Sequence, residues 1–225
     1  MTPNMKLVIL DCDGVLIDSE VISAQMLIEQ LACRGVEVDL AYVARHFLGR
    51  SYPTVMQIIR TDFQLDLSAD FEEEYRNRLL AAFEGRLAIM PGVEEFLENL
   101  ALPVAVATSS SPRRVEMSLR RVGLWDRLGP VTYTASLVAH GKPAPDLFLH
   151  VAKAMQTAPE DCIVVEDSLP GLQAGLAAGM QVWHFVGGSH MKPAFPEVPR
   201  DLTPHHRFGS FAEVFHSFPT LRKQT

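Results

Sequence analysis

The sequence predicts an α/β fold: a parallel sheet with helices on both faces, interrupted after its first strand by an all-helical insertion. Three observations carry this expectation. A buried-type apolar run, Leu7 to Leu10, stands near the start. From Asp18 to about Arg86 only helical patterns follow, with no convincing strand. After Pro91-Gly92 short apolar runs alternate with helical segments, which implies parallel strands covered on both sides.

Taken in order, Asp18 to Arg34 reads as a helix that Asp18 or Ser19 can cap, with Ile22, Leu27 and Leu31 on its apolar face. Helical patterns continue over Asp39 to Leu48, Tyr52 to Phe63 and Ser68 to Gly85. Ser68 is the N-cap candidate of the last, whose early acids and later arginines suit the helix dipole. A short helix, Val93 to Leu100, precedes the next strand, Pro103 to Ala107. Thr108, Ser109, Ser110 and Ser111 follow, and Pro112 suits the first turn of a helix ending at Gly123. Val131 to Thr134 is a weaker strand, and Gly141-Lys142-Pro143 breaks the chain before a helix at about Pro145 to Met155. Cys162 to Val165 is a strand ending in Glu166-Asp167, followed by a helix with Gly171, Gly175 and Gly179 at four-residue spacing, a pattern that suits close packing on a sheet. Gln181 to Val186 is the last expected strand. The tail from Gly187 reads as Pro- and His-rich loop with one amphipathic turn near Phe211 to Phe218.

Composition narrows the function. The 225 residues are 48% hydrophobic and 21% charged, enough for a substantial core. A net charge of -7 and no basic block argue against nucleic acid and anionic membrane as partners. No apolar stretch of about 20 residues is present to span a bilayer. The apolar run after Lys6 is short and contains Asp11 and Asp13, unlike a secretory signal. Cys12, Cys33 and Cys162 are scattered, which suits a reducing, cytoplasmic setting and gives thiolate metal ligation little support.

In an open parallel sheet, ligands bind beyond the carboxyl ends of the strands. Four polar features fall there: Asp11 with Asp13, Thr108 to Ser110, the loop carrying Lys142, and Glu166 with Asp167. Each has an ordinary explanation alone, as a turn, a cap, a surface lysine or an acidic helix start. Yet Lys142 is the only lysine between Lys6 and Lys153 in a chain that otherwise prefers arginine. Together the four make consistent chemistry. Asp11, Asp167 and a backbone carbonyl near Asp13 are hard oxygen ligands suited to Mg²⁺. Hydroxyls and N–H groups of Thr108, Ser109 and Ser110, opening a helix, suit phosphate oxygens. Lys142 adds positive charge for a phosphoryl group. Asp11 would then be the nucleophile and Asp13 the acid and base. Gly14 directly after Asp13 excludes a calcium loop of EF-hand type, which needs a third spaced ligand.

The ordered motifs DCDGVLIDS, ATSS, GKPAPD and VVEDSLPG resemble the haloacid dehalogenase-like hydrolase superfamily, over nearly the whole chain to about Val186. GKPAPDLF with VEDS looks most like the subgroup with a helical cap, which contains phosphoglycolate phosphatase and β-phosphoglucomutase relatives. The resemblance implies a Rossmann-like core, residues 1–17 and 87–225, with a four-helix cap inserted at residues 18–86. It implies Asp11 as nucleophile, Asp13 as acid/base, Thr108 and Lys142 on the phosphate, Asp167 on Mg²⁺, and Glu166 as a supporting acid.

Departures from relatives refine the activity. Asp13 argues for phosphate chemistry over dehalogenation. The block without lysine from residue 18 to 86 closes the Schiff-base route of phosphonate hydrolysis. Mutase relatives carry a cap histidine where Ser23 stands, together with a cap lysine, so mutase activity is disfavoured. Cys12 is expected to point into the core. In FLGRSY (Phe47 to Tyr52), Arg50 or Tyr52 is expected to meet the substrate's non-phosphate end. The resulting expectation is a Mg²⁺-dependent phosphatase for a small phosphorylated metabolite, with a phosphomutase and a silent binding protein as alternatives. The expected assembly is a monomer or weak homodimer.

Overall fold

The computed structural model describes residues 5–65, 67–191, 198–199 and 202–224; part of the loop expected after Gly187 lies outside them. Five strands match the expected runs: β1 (Leu7–Leu10), β2 (Val104–Thr108), β3 (Thr132–Thr134), β4 (Cys162–Glu166) and β5 (Gln181–Phe185). A sixth, β6 (His206–Phe208), lies in the tail that was expected to be loop. Its three residues, HRF, are too few to show a period, and only pairing with β5 defines it, with Phe185 opposite Phe208. All strands are parallel, in the order β3-β2-β1-β4-β5-β6. This is the Rossmann-like arrangement, with β1 flanked by β2 and β4.

Alternation along β1 divides the core. Val8 and Leu10 face one side, packing with Val93, Phe96, Val115, Leu119 and Phe211. Those residues come from α5 (Val93–Asn99), α6 (Pro112–Arg121) and α10 (Phe211–Ser217). Leu7 and Ile9 face the other side, against Leu147, Phe148, Leu172 and Ala174 of α8 (Asp146–Ala154) and α9 (Leu169–Ala177). Cys12 is buried in the first cluster, as expected, and burial pushes its thiol up. The short α7 (Trp125–Leu128) adds Leu128 to the same side. Gly175 lets α9 lie directly on Val164 and Val182, where a Cβ would crowd both side chains.

Four helices follow β1: α1 (Glu20–Ala32), α2 (Leu40–His46), α3 (Tyr52–Phe63) and α4 (Ala69–Ala82). Their apolar faces form a separate cluster around Leu31, Met56, Ile59 and Phe71, each fully buried. Asp39 caps α2 through Tyr42 N, and Ser68 caps α4 through Phe71 N. Ser19 stands at the N-cap of α1 but makes no cap hydrogen bond, because its hydroxyl is used elsewhere. The chain crosses to and from the bundle as a pair of strand-like segments, with Ile17 bridged to Ile89 and Met90 N donating to Leu16 O. Because the bundle has its own apolar core, Phe71→Ala is expected to cost about 3–5 kcal/mol there. Hydrogen exchange should then speed up in α1 and α4 well before it does in β1 and β4.

Candidate active site

Three strand ends and one loop meet around a single ammonium group. Lys142, from the loop before α8, donates to Asp11 Oδ1 at 2.6 Å, to Glu166 Oε1 at 2.5 Å and to the Ala107 carbonyl at 2.9 Å. Burial opposes its charge, but Asp11 and Glu166 outweigh that and hold the ammonium more strongly protonated than a free lysine. Glu166 is entirely buried, and its other oxygen accepts from Asp167 N, Ser168 N and Ser168 Oγ at 2.9–3.1 Å. Gly171 in the next helical turn has to lack a side chain, since a Cβ would overlap this carboxylate. Gly14 is fixed for two reasons: its φ is +81°, and a Cβ would run into Asp167.

Carboxylate oxygens of Asp11, Glu166 and Asp167 lie within 4.8 Å of one another, all on buried residues. Burial, with Glu166 and Asp167 close by, pushes the Asp11 carboxyl well up, and Lys142 only partly offsets this. Asp167 is raised as well, by burial and by Glu166. His190 Nε2 lies 2.8 Å from Asp167 Oδ2.

Asp13 sits in a different environment two residues away. Its Oδ1 accepts from Ser19 Oγ at 2.6 Å and Arg114 Nη2 at 2.8 Å, and its Oδ2 accepts from Ser110 Oγ at 2.6 Å. Burial works against ionisation, but Arg114 and the two hydroxyls prevail and hold Asp13 below the usual carboxylate range. The Asp13 side chain is therefore engaged away from the acidic cluster, and only its carbonyl is left for the ligand role expected of it. Thr108 Oγ1 accepts from Ser110 N at 3.0 Å, while Ser109 Oγ donates to the Gly49 carbonyl at 3.2 Å.

That last contact joins the sheet to the bundle and roofs a cavity of about 140 Å³ lined by both. Asp11, Asp13 and Thr108 form its floor, and both Arg50 and Tyr52 line it. The Tyr52 ring stacks on Tyr75 with centroids 5.3 Å apart. Sequence reasoning missed Arg114, Glu20 and His190. Arg114 carries one legible signal: a cation in the first turn of a helix opposes the dipole, so another partner has to hold it there. Glu20 carries none, because an acid in a first turn is ordinary; only the fold places it against Asp13.

A family model for haloacid dehalogenase-like hydrolases matches residues 5–179, and the chain belongs to that family. It is 28% identical to 6-phosphogluconate phosphatase of Escherichia coli over 191 residues, 84% of this chain and 86% of that protein. It is 30% identical to the bifunctional riboflavin kinase/FMN phosphatase of Arabidopsis thaliana, matching over 96% of its own length but only 54% of that longer protein. Among solved structures, a conserved haloacid dehalogenase-like protein of unknown function from Agrobacterium tumefaciens superposes with a TM-score of 0.80. That pair is 31% identical over 96% of this chain and 98% of the other. The family is one of hydrolases, and this chain is an enzyme of that kind.

Two outcomes follow from the electrostatics. Lys142→Met leaves Asp11 and Glu166 buried without their cation, and is expected to cost about 3–5 kcal/mol in chemical denaturation at pH 7. Burial raises Glu20 to about 7, with Asp13 and Asp167 adding to the shift. Its folded pKa lies above the unfolded value, so its penalty is absent below about pH 4.5 and grows up to about pH 7. Glu20→Gln should therefore stabilise the protein relative to wild type in chemical denaturation at pH 8, by on the order of 1 kcal/mol, and much less at pH 4.5.

Proposed function

We propose that the protein is a phosphatase for a small phosphorylated metabolite, a sugar or organic-acid phosphate, working through an aspartyl phosphate on Asp11 with Mg²⁺ as cofactor. One observation carries the reading: Asp11, bound to Lys142, and Asp13, bound to Arg114, Ser19 and Ser110, lie at the floor of one cavity, with the buried carboxylates of Glu166 and Asp167 beside Asp11. Phosphatase names among the relatives, 6-phosphogluconate phosphatase included, support the substrate class.

The residues fit Mg²⁺. Asp11 and Asp167 offer buried carboxylate oxygens, and the Asp13 carbonyl is the third candidate ligand. Glu166 has both oxygens engaged by protein donors, so it supports the site from behind. When bound, Mg²⁺ supplies charge stabilisation for the transferring phosphoryl group.

Asp11 has Lys142 as its one side-chain hydrogen-bond partner among the described residues, through Oδ1, which leaves Oδ2 to attack phosphorus. As that O–P bond forms, the bond to the leaving alcohol breaks, and the proton carried by the bound phosphate monoester monoanion passes by way of Asp13 to the alcohol oxygen. Asp13, now ionised, takes a proton from water. The hydroxide adds to phosphorus, and the Asp11–phosphorus bond breaks to release phosphate. Thr108 and the N–H group of Ser109 hold phosphoryl oxygens, and Lys142, whose three donors go to Asp11, Glu166 and Ala107, adds positive charge beside them. The Arg114, Ser19 and Ser110 contacts keep Asp13 ionised, as the water-activating half requires.

Helices α1–α4 serve as a cap over residues 18–86 that excludes bulk water. Ser23 speaks against a mutase: its Oγ donates to Ser19 O and receives Arg114, and it cannot act as the base that the histidine of mutase relatives supplies. Hydrolysis of p-nitrophenyl phosphate in Mg²⁺ is the direct test. EDTA is expected to abolish it, and Asp11→Asn to reduce it by at least about 10³-fold. Retention of activity in Asp11→Asn, measured on folded protein, would remove the nucleophile assignment.

A further inference from the structure

The cavity above Asp11 holds more positive charge than the phosphate chemistry uses. Four arginines line it, Arg50 and Arg76 from the helical bundle and its loops, Arg113 and Arg114 from the first turn of α6. Two are committed. Arg114 is bound to Asp13 and Ser23, and Arg76 lies 3.5 Å from Glu72 with its guanidinium over the Tyr52 ring. Arg50 and Arg113 make no side-chain hydrogen bond or ion pair among the described residues.

The acids of the cavity do not balance them. Asp11 faces Lys142 and Asp13 faces Arg114, each within 2.8 Å. Glu20 lies with Asp13 and Arg114 on the floor side and makes no ion pair with Arg50 or Arg113 among the described residues. Two guanidinium groups are left over at the roof and rim.

Their placement is shared between two bodies. Arg50 follows Gly49, whose carbonyl receives Ser109 Oγ and whose Cα sits against Ser168, too close to admit a Cβ. Arg113 lies four residues after Ser109, at the start of α6. One contact, Gly49 on Ser109, thus seats both arginines at the same opening. Guanidinium is the side chain suited to bidentate pairing with carboxylate or phosphate.

We propose that the substrate carries a second anionic group at the end of its carbon chain away from the reacting phosphate, and that Arg50 and Arg113 receive it across the bundle–sheet interface. The proposal rests on the phosphatase reading and narrows its substrate class to phosphorylated acids and bisphosphates. A bound anion would also tie the bundle to the sheet, making closure depend on the correct substrate.

The test compares matched esters that differ only at the far end: glycerate 3-phosphate against glycerol 3-phosphate, a six-carbon aldonic acid 6-phosphate against its alditol 6-phosphate, and that alditol phosphate against its bisphosphate. At least one anionic member is expected to exceed its neutral partner at least tenfold in kcat/KM. The carboxylate and bisphosphate arms show which anion is preferred. Arg50→Gln and Arg113→Gln should each cut that preference at least fivefold, with Arg113→Lys cutting it less, and added salt should weaken it because Arg113 is exposed. Turnover of p-nitrophenyl phosphate with no preference in any pair overturns the second-anion site and leaves the phosphatase reading standing. A preference untouched by both glutamine variants overturns the assignment of these arginines. Absence of turnover on every ester overturns both readings.

Discussion

The Lys142 ammonium group, buried between Asp11 and Glu166 and bound to the Ala107 carbonyl, is the contact on which the rest of the site depends. Two carboxylates this close repel one another, and desolvation penalises each. A cation between them offsets both effects, provided its geometry is complete. Here it is: the three donors of the ammonium have three acceptors, drawn from the ends of β1, β2 and β4. Glu166 is completed on its other side by the N–H groups that open α9. The same ammonium thus sets the spacing of three strand ends and neutralises the ground on which a phosphate would be held.

Environment, more than residue type, gives the two aspartates their different characters. Asp11 lies among carboxylates and is pushed up; Asp13 lies among Ser19, Ser110 and Arg114 and is held down. The donors to Asp13 come from three places: the start of α1, the loop after β2 and the first turn of α6. Ser19 gives up its helix cap to do this, which leaves α1 without the side-chain cap that its sequence offered. The helical bundle is thereby wired to Asp13 as well as to the cavity roof.

Much of the fold was legible in the residues. Apolar runs of four or five residues followed by polar strand ends located β1, β2, β4 and β5, and Ser68 marked the start of α4, because these signals are local. β6 was not legible: HRF has no period of its own and becomes a strand only by pairing with β5. The site divides in the same way. Asp11, Thr108, Lys142, Glu166 and Asp167 were readable from their places in ordered motifs, and the structure brings them together. Arg114 gave at most a hint through its unfavourable place in a helix dipole, and Glu20 none.

By itself, then, the sequence determined the alternation of strands and helices, the run of four helical segments after β1, and the family, since each is carried by local pattern or motif order. Tertiary structure decided three things. It decided which carboxylate is raised and which lowered, because Asp11 is raised by burial and by Glu166 and Asp167, and Asp13 is lowered chiefly by Arg114, all about 100 or more residues away. It decided that Ser19 serves Asp13 and not its own helix. It decided that Arg50 and Arg113, 63 residues apart in sequence, share one opening. Desolvation and Coulomb energies depend on distance in space, and no local sequence window contains that distance.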